Sequence, residues 1–474
     1  MILAIARKEF VDAWRDGRFR VGAVLMLLLL VTASLLAWRQ TERAASERAA
    51  AAALERENWL EQGEKNSHSA GHYGVNVFKP VSPLALFDRG IEPFVGTTLF
   101  LEAHRQNQAA FVPAQDATSM RRFGELTAST GLQLLAPLLV ILLAFGCIAG
   151  ERERGTLRQV LSLGVSPRAL VMGKTLGLAG ALASLLVPIG IAGALLVGRL
   201  QTDHVDGLWQ RAGGLALAYG LFLGLVLVLS VAVSALAPNG RSALAILLAG
   251  WAGTCIVAPR LVTDTVHDML PTPLLAEFEK EMNQDLQSGL DGHDPRSKRL
   301  EEFTQSTLAE HKVGNVQELP FNFQGHVMLE SERMAGEVFD YHFGKLWDRI
   351  EEQDRAATLA GAAAPLLALR SASMAFAGTD FAHHRHFAVA AEQHRREFVR
   401  VLNEDLKFNA RPGDHSYKAG RKLWESLPEF RLAPFPAERA FERAGLGLAL
   451  LAGWFLAALS ALFFAAGRLR VTAA

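Results

Sequence analysis

The sequence predicts an α-helical polytopic membrane protein with six transmembrane helices, an N-terminal interfacial helix and an α-rich exoplasmic domain. Half of the 474 residues are hydrophobic, and they gather into runs separated by ordinary charged sequence. A helix needs about 20 apolar residues to cross a hydrocarbon core of ~30 Å, and six runs approach or exceed that length. With 48 basic and 48 acidic residues the net charge is zero, which gives no support to a nucleic-acid-binding class. The apolar content excludes a disordered or collagen-like chain. Both cysteines, Cys147 and Cys255, lie inside apolar runs, so neither a disulfide framework nor a cysteine-based zinc site is expected.

Residues 1–20 come first. Leu3, Ala6, Phe10, Ala13 and Trp14 recur at helical spacing, with Arg7, Lys8, Asp12 and Arg15 elsewhere. That pattern fits a helix lying in the membrane interface, or a plain extension of the first span. The spans are expected at 21–38, 129–149, 175–198, 212–237, 242–259 and 444–466. The first is read as retained, because Glu9, Asp12 and Asp16 precede it and no small-x-small cleavage pattern follows. No span carries Asp, Glu, Lys, Arg or His near its middle, where ion-coupled transporters place such groups, so energy for transport is expected from elsewhere. Pro137 and Pro188 read as packing kinks whose freed carbonyls neighbouring helices satisfy.

Basic residues set the sidedness. Arg7, Lys8, Arg15, Arg18 and Arg20, then Arg152, Arg154, Arg158, Arg168 and Lys174, place 1–20 and 150–174 in the cytoplasm. Arg241 in 238–241, and Arg468 and Arg470 in the tail 467–474, fall on the same side; the loop 199–211 falls opposite, and Arg39, Arg43 and Arg48 run against the bias.

Segments 39–128 and 260–443 then lie outside. Residues 39–63 are rich in Ala, Glu and Arg, so the first helix continues out of the membrane. Breakers beyond Gly63, around Phe78, Pro80, Pro83 and Pro93, read as loops or short strands. In 260–443 the apolar periodicity predicts helices over 274–290, 299–311, 330–360 and 379–408. On the last, Phe387, Ala391, Phe398 and Leu402 face a core, and His386, Arg395, Arg396 and Arg400 face water. Ten of the 14 histidines fall in this segment, with His383, His384, His386 and His394 clustered. They are weak candidates for a transition-metal site, since no carboxylate or cysteine completes a pattern, and a solvated helical face is the alternative. No protease or hydrolase motif occurs.

The segment 150–174 is the most informative. Thr156 to Leu163 can form a short amphipathic helix with Leu157, Val160 and Leu161 on one face, closed by Gly164 and Pro167. Such a knob suits a partner's groove, or equally a helix resting on headgroups. Gly173-Lys174-Thr175 looks like the tail of a phosphate-binding loop, but Arg168 stands where that loop needs glycine. ATP binding here is not expected, and Lys174 reads as snorkelling to headgroups at the mouth of the third span.

The run Glu151-x-Glu153-x-Gly155-Thr156-Leu157, followed by Leu161-Ser162, Ser166-Pro167-Arg168 and Gly173-Lys174, resembles the coupling segment of ABC-2-type ABC transporter permeases. The six-span plan, Arg7-Lys8-Glu9-Phe10 and the short loop around Ser234 to Ser242 extend the likeness. Gly378-Thr379-Asp380 with His383, His384 and Phe387, and Glu392-Gln-His-Arg-Arg396, resemble a bacterial subfamily with a large uncharacterised exoplasmic insertion.

The resemblance implies an exporter's permease subunit in the bacterial inner membrane, without enzymatic activity, catalytic residues or a cofactor of its own. It implies a separate nucleotide-binding ATPase carrying ATP and Mg, and a second permease, identical or paralogous. Glu151, Glu153, Gly155, Thr156, Leu157, Val160, Leu161, Pro167 and Arg168 would couple to the ATPase. The remaining expected partners are the lipid bilayer and an envelope protein at the exoplasmic domain, with no nucleic acid. The other functional class is a membrane-anchored exoplasmic binding or sensor protein using the histidine cluster.

Overall fold

The computed structural model describes residues 1–115, 127–200, 205–414 and 416–469. Arg470, the rest of the tail, and parts of the 39–128 and 199–211 segments lie outside the described residues.

α1 (Ile2–Arg15) ends where Asp16 turns to extended backbone; the Asp16 carboxylate accepts from Arg18 N at 2.7 Å and starts α2 (Gly17–Glu61). At ~1.5 Å per residue, the 45 residues of α2 run well past a bilayer's thickness, so one rigid rod joins a span to the chain beyond it. α3 (Ser67–Tyr73) leads into a hairpin of β1 (Val75–Phe78) and β2 (Thr98–Leu101), paired antiparallel from Val75↔Leu101 to Phe78↔Thr98.

The next apolar stretch is a helical turn at Ala128–Thr130, a π turn at Gly131–Leu135 and α4 (Ala136–Ala144). Pro137 follows directly on the π turn, so the hydrogen-bond ladder is already shifted where its N–H is missing. Two short helices follow, α5 (Ala149–Glu153) and α6 (Thr156–Ser162), then α7 (Pro167–Val197), α8 (Leu208–Leu236) and α9 (Gly240–Trp251). A π turn over Ala252–Val257 carries the chain into α10 (Ala258–Met269), so the helix runs on past Pro259, where the fifth span was expected to end. The wider turn accommodates the proline ring. The remaining helices are α11 (Leu275–Ser288), α12 (Arg296–His311), α13 (Phe323–Leu359), α14 (Pro365–Ala377), α15 (Phe381–Asn409), α16 (Arg421–Ser426) and α17 (Ala437–Arg468). Among the described residues, six helical stretches are long and apolar enough to cross a membrane: Gly17–Glu61, Ala128–Glu153, Pro167–Val197, Leu208–Leu236, Gly240–Met269 and Ala437–Arg468.

One core belongs to the bundle, and it contains a helix from the segment expected to face water. α14 lies against α8 and α17, with Leu366, Ala368, Leu369, Ala372 and Phe376 fully buried. The approach is close: a Cβ on Gly447 would lie 2.6 Å from Ala368 O, and one on Gly214 would meet the Phe376 ring at 2.5 Å. α14 also brings polar groups into the bundle. Arg370 Nε donates to Gln133 Oε1 at 3.1 Å, Gln133 Nε2 to Tyr219 OH at 2.9 Å, and Ser373 Oγ bonds both Tyr219 and buried Asp88.

The second structural unit is built from both long segments. Trp59, Ala70, Ala103, Phe398, Leu402 and Trp424 form one cluster; Val77, Leu99, Leu101, Phe387 and Ala391 form another. The four apolar positions expected to face a core on 379–408 do so. Arg395 does not face water as expected. Its side chain is 1% exposed, paired with Glu392 at 2.7 Å and Glu332 at 3.0 Å, and it donates to Glu102 O. Helical spacing places it correctly around the axis, but the hairpin and α13 cover that face.

Trp424 is wholly buried and donates from Nε1 to Gly63 O at 3.0 Å. Trp424→Ala should destabilise this unit by roughly 3–5 kcal/mol, read as a lower thermal midpoint in detergent. Leu54→Ala, at a residue 57% exposed, should change stability by no more than about 0.5 kcal/mol.

Candidate functional site

The 150–174 segment folds as a helical hairpin at one end of the bundle. Gly155, at φ +75°, lets the chain reverse between α5 and α6, and Gly164, at φ +83°, lets it leave α6. Both conformations disfavour residues with a Cβ. Ser166 Oγ then accepts from Ala169 N at 3.3 Å and Pro167 occupies the first turn of α7, a regular helix start.

Three attachments hold the hairpin. Lys174, 1% exposed, reaches two carboxylates, Glu9 of α1 and Glu151 Oε1 of α5, the latter at 2.8 Å. Lys174 therefore turns inward and does not snorkel. The cause is close approach of α1: Cβ atoms on Gly173 and Gly177 would lie 2.7 Å from Ile5 Cβ and 2.5 Å from Ala6 O. Small residues on α7 let α1 cross directly over Lys174.

The second attachment is Arg152, whose guanidinium donates to Ala237 O and, at 2.6 Å, to Ala235 O. It satisfies carbonyls at the C-terminal end of α8, where a cation is also favoured by the helix dipole. Third, Glu153 Oε1 accepts from Gly240 N at 3.2 Å, at the N-terminus of α9, while Ser234 Oγ accepts from Ile148 N and Ala149 N, each at 3.1 Å. The two acidic residues of the Glu-x-Glu pattern thus serve different helices, Glu151 binding Lys174 and Glu153 capping α9.

The apolar face of α6 also points inward. Leu157 is buried in the bundle core, with Val160 and Leu161 packed against that core. This differs from the expected knob: periodicity identifies an apolar face, but the bundle's own core takes it. The outward ridge is Arg154, Gly155, Arg158, Gln159, Ser162, Leu163, Gly164 and Arg168, all exposed. Leu163, 84% exposed at the tip, is the apolar group this ridge presents. A cleft beside the hairpin gathers Asp16, Arg18, Arg154 and Arg241 at the same end of the bundle.

The histidine candidates do not converge. His383 Nδ1 contacts Asp380 at 2.5 Å and its Nε2 contacts Arg211 Nη1 at 2.9 Å. His386 bonds Ala433 O at 2.8 Å, and His394 packs on Phe430. His384 is half-buried beside Lys79 and Glu92, and desolvation foremost lowers its pKa to about 4. Consecutive helical positions diverge by ~100°, so nearness in sequence placed these rings apart. Among the described residues, the histidines that do meet are His68, His72 and His104. The first two lie four residues apart on α3, a readable signal, but the third is 36 residues beyond His68 and only the fold joins them.

Residues 3–294 match the ABC-2 family transporter protein family, well over half of the chain, and this decides the family. The chain belongs to the ABC-2 transporter family. It is a multi-pass membrane permease, a transport subunit and not itself catalytic. Residues 276–433 of the permease match a domain of unknown function, DUF3526, which covers α11 to α16 and so includes α14 in the bundle core. No curated protein matches the chain.

Removing one partner from a buried ion pair leaves an uncompensated charge, at a cost of roughly 3–5 kcal/mol. Lys174→Met should lower the permease's thermal midpoint in detergent by a corresponding amount. The triple variant Glu9→Gln/Lys174→Met/Glu151→Gln, which leaves no bare charge, should recover most of that loss.

Proposed function

We propose that this permease works in an ABC-2 exporter driven by a separate ATPase subunit that docks on the outward ridge of the 151–170 hairpin. In this reading the hairpin end of the bundle, with both termini, lies in the cytoplasm of a bacterium and the α-rich unit lies outside the inner membrane. The basic residues gathered at that end support the orientation: Arg18, Arg154 and Arg241 line one cleft there. ATP and Mg belong to the partner, and two permeases, alike or paralogous, complete the transporter. Outward transport rests on the resemblance to ABC-2 exporters.

The observation that carries the proposal is the hairpin's two-sidedness. Its inner side is fixed to α1, α7, α8 and α9 by Lys174, Arg152, Glu153 and Ser234. Its outer side presents a leucine between arginines that no described residue covers. A partner that seats Leu163 in a groove and moves would displace four helices together, because packed interfaces shift as units. Of the residues expected to couple, Arg168 and Gly155 lie on the docking side, while Glu151, Glu153, Leu157, Val160 and Leu161 act by holding the hairpin to the bundle.

Affinity purification of the tagged permease from native membranes in mild detergent tests this. A nucleotide-binding subunit should co-purify, and Leu163→Asp combined with Arg158→Glu should reduce its retention at least tenfold with the permease's thermal midpoint unchanged. Leu157→Asp should instead lower the midpoint of the permease itself. If no nucleotide-binding subunit is recovered with the unmodified permease, or if the double variant retains it fully, the docking assignment is wrong.

A further inference from the structure

We propose that His68, His72 and His104 form a binding site for one divalent late transition ion, Zn²⁺ by geometry, with its fourth coordination position open to solvent. The three imidazoles come from two places, α3 and the turn after β2, which Ala103 N joins by donating to Gly71 O at 2.9 Å. Their ligand nitrogens lie within 4.8 Å of one another. His68 Nε2 is 3.2 Å from His72 Nε2 and 3.2 Å from His104 Nε2. Zn–N bonds of 2.0–2.1 Å in a tetrahedron place neighbouring nitrogens about 3.3–3.4 Å apart. The rings therefore stand close to the spacing that a single ion imposes.

Two of the three remaining ring nitrogens are engaged as metal-bound histidines require. His104 Nδ1 lies 2.7 Å from Glu332 Oε1, and His68 Nδ1 lies 2.9 Å from Asn403 Oδ1. Oxygen acceptors at Nδ1 fix the tautomer that leaves Nε2 as a lone pair. Two such lone pairs then face each other at 3.2 Å between His68 and His104. A cation between them turns that repulsion into two bonds.

Asn403 is compatible with that tautomer. It is fully buried, and with Oδ1 toward His68 its Nδ2 has no partner among the described residues. Zinc on His68 Nε2 requires this orientation, with Oδ1 accepting from His68 Nδ1–H; the opposite one would place a donor there and protonate Nε2.

The surroundings are rigid where the site needs it. Glu332 is anchored by Arg395 at 3.0 Å and also accepts from His104 N at 2.6 Å. His104 itself sits at φ +65°, one of three non-glycine residues with positive φ among the described residues. A histidine held there, in a turn closed by the Glu102↔Arg105 bridge, marks a position the surroundings over-determine. His72 is exposed, so the fourth position opens to water and to a ligand from outside. Irving–Williams ordering makes Cu²⁺ a tighter competitor for the same nitrogens.

The test is calorimetric titration of the full-length, chelator-stripped permease in detergent with ZnSO₄, paired with thermal midpoints at each zinc concentration. One ion should bind per chain and raise the midpoint. His72→Ala, an exposed change that should leave folding intact, and His104→Ala should each weaken binding at least tenfold and abolish the midpoint rise. Glu332→Gln should weaken it ~10–100-fold by loosening His104, whereas His394→Ala should leave it unchanged. Absence of saturable one-to-one binding, or binding unchanged in both His72→Ala and His104→Ala, would overturn the proposal.

Discussion

The hairpin depends on one buried ammonium group. Lys174 sits where α1 crosses α7, and both of its carboxylate partners come from outside its own helix. Removing three charged groups from water is expensive unless they are paired, so the three elements cannot separate without exposing or stranding a charge. The geometry that permits this is steric. Gly173 and Gly177 bring the α1 backbone close enough to put Glu9 over Lys174, and a larger residue at either position would lift α1 away. The motif Gly173-Lys174 thus works as a helix crossing with a buried cation.

From that anchor the remaining contacts extend along the same end of the bundle. Arg152 and Glu153 are adjacent, yet one satisfies the last carbonyls of α8 and the other the first amide of α9. A salt bridge between them would have left both helix ends bare. Because each ties to a different helix terminus, the hairpin bridges the short turn between α8 and α9 and also holds α1 and α7. Three consecutive side chains, Glu151, Arg152 and Glu153, thus reach α7, α8 and α9, and Lys174 extends the connection to α1.

The sequence made the membrane spans and the long helices readable because burial by lipid or core imposes a simple period. The four helices expected over 274–408 occur within a few residues of their expected ends, apart from α13, which starts earlier at Phe323. What failed was direction. Leu157 and Arg395 each lie on a correctly identified helix face, but a face is apolar or polar without saying which neighbour covers it. α14 escaped for a different reason. At 13 residues it is too short to read as a span, and Arg370 and Ser373 interrupt its apolar run, although both find partners within the bundle. The His68, His72 and His104 group needed a contact between a short helix and a turn after a strand, information that no local period carries.

α14 also bears on how the two parts of the permease communicate. Three helical stretches run unbroken out of the bundle, α2, α9 with α10, and α17, and each meets the α-rich unit directly. Trp59 near the end of α2 packs on Trp424, Gln353 of α13 donates to Leu270 O just past α10, and Arg443 near the start of α17 pairs with Glu351 and Asp354 of α13. With α14 lodged between α8 and α17, a rotation of either span must move Phe376 and, through the short link to α15, the ion-paired core around Arg395. Helices transmit such displacements because their ladders resist bending more than loops do, so the α-rich unit cannot remain still while the bundle rearranges. A domain attached only by flexible loops could bind a ligand without sensing the bundle; this one is built into it.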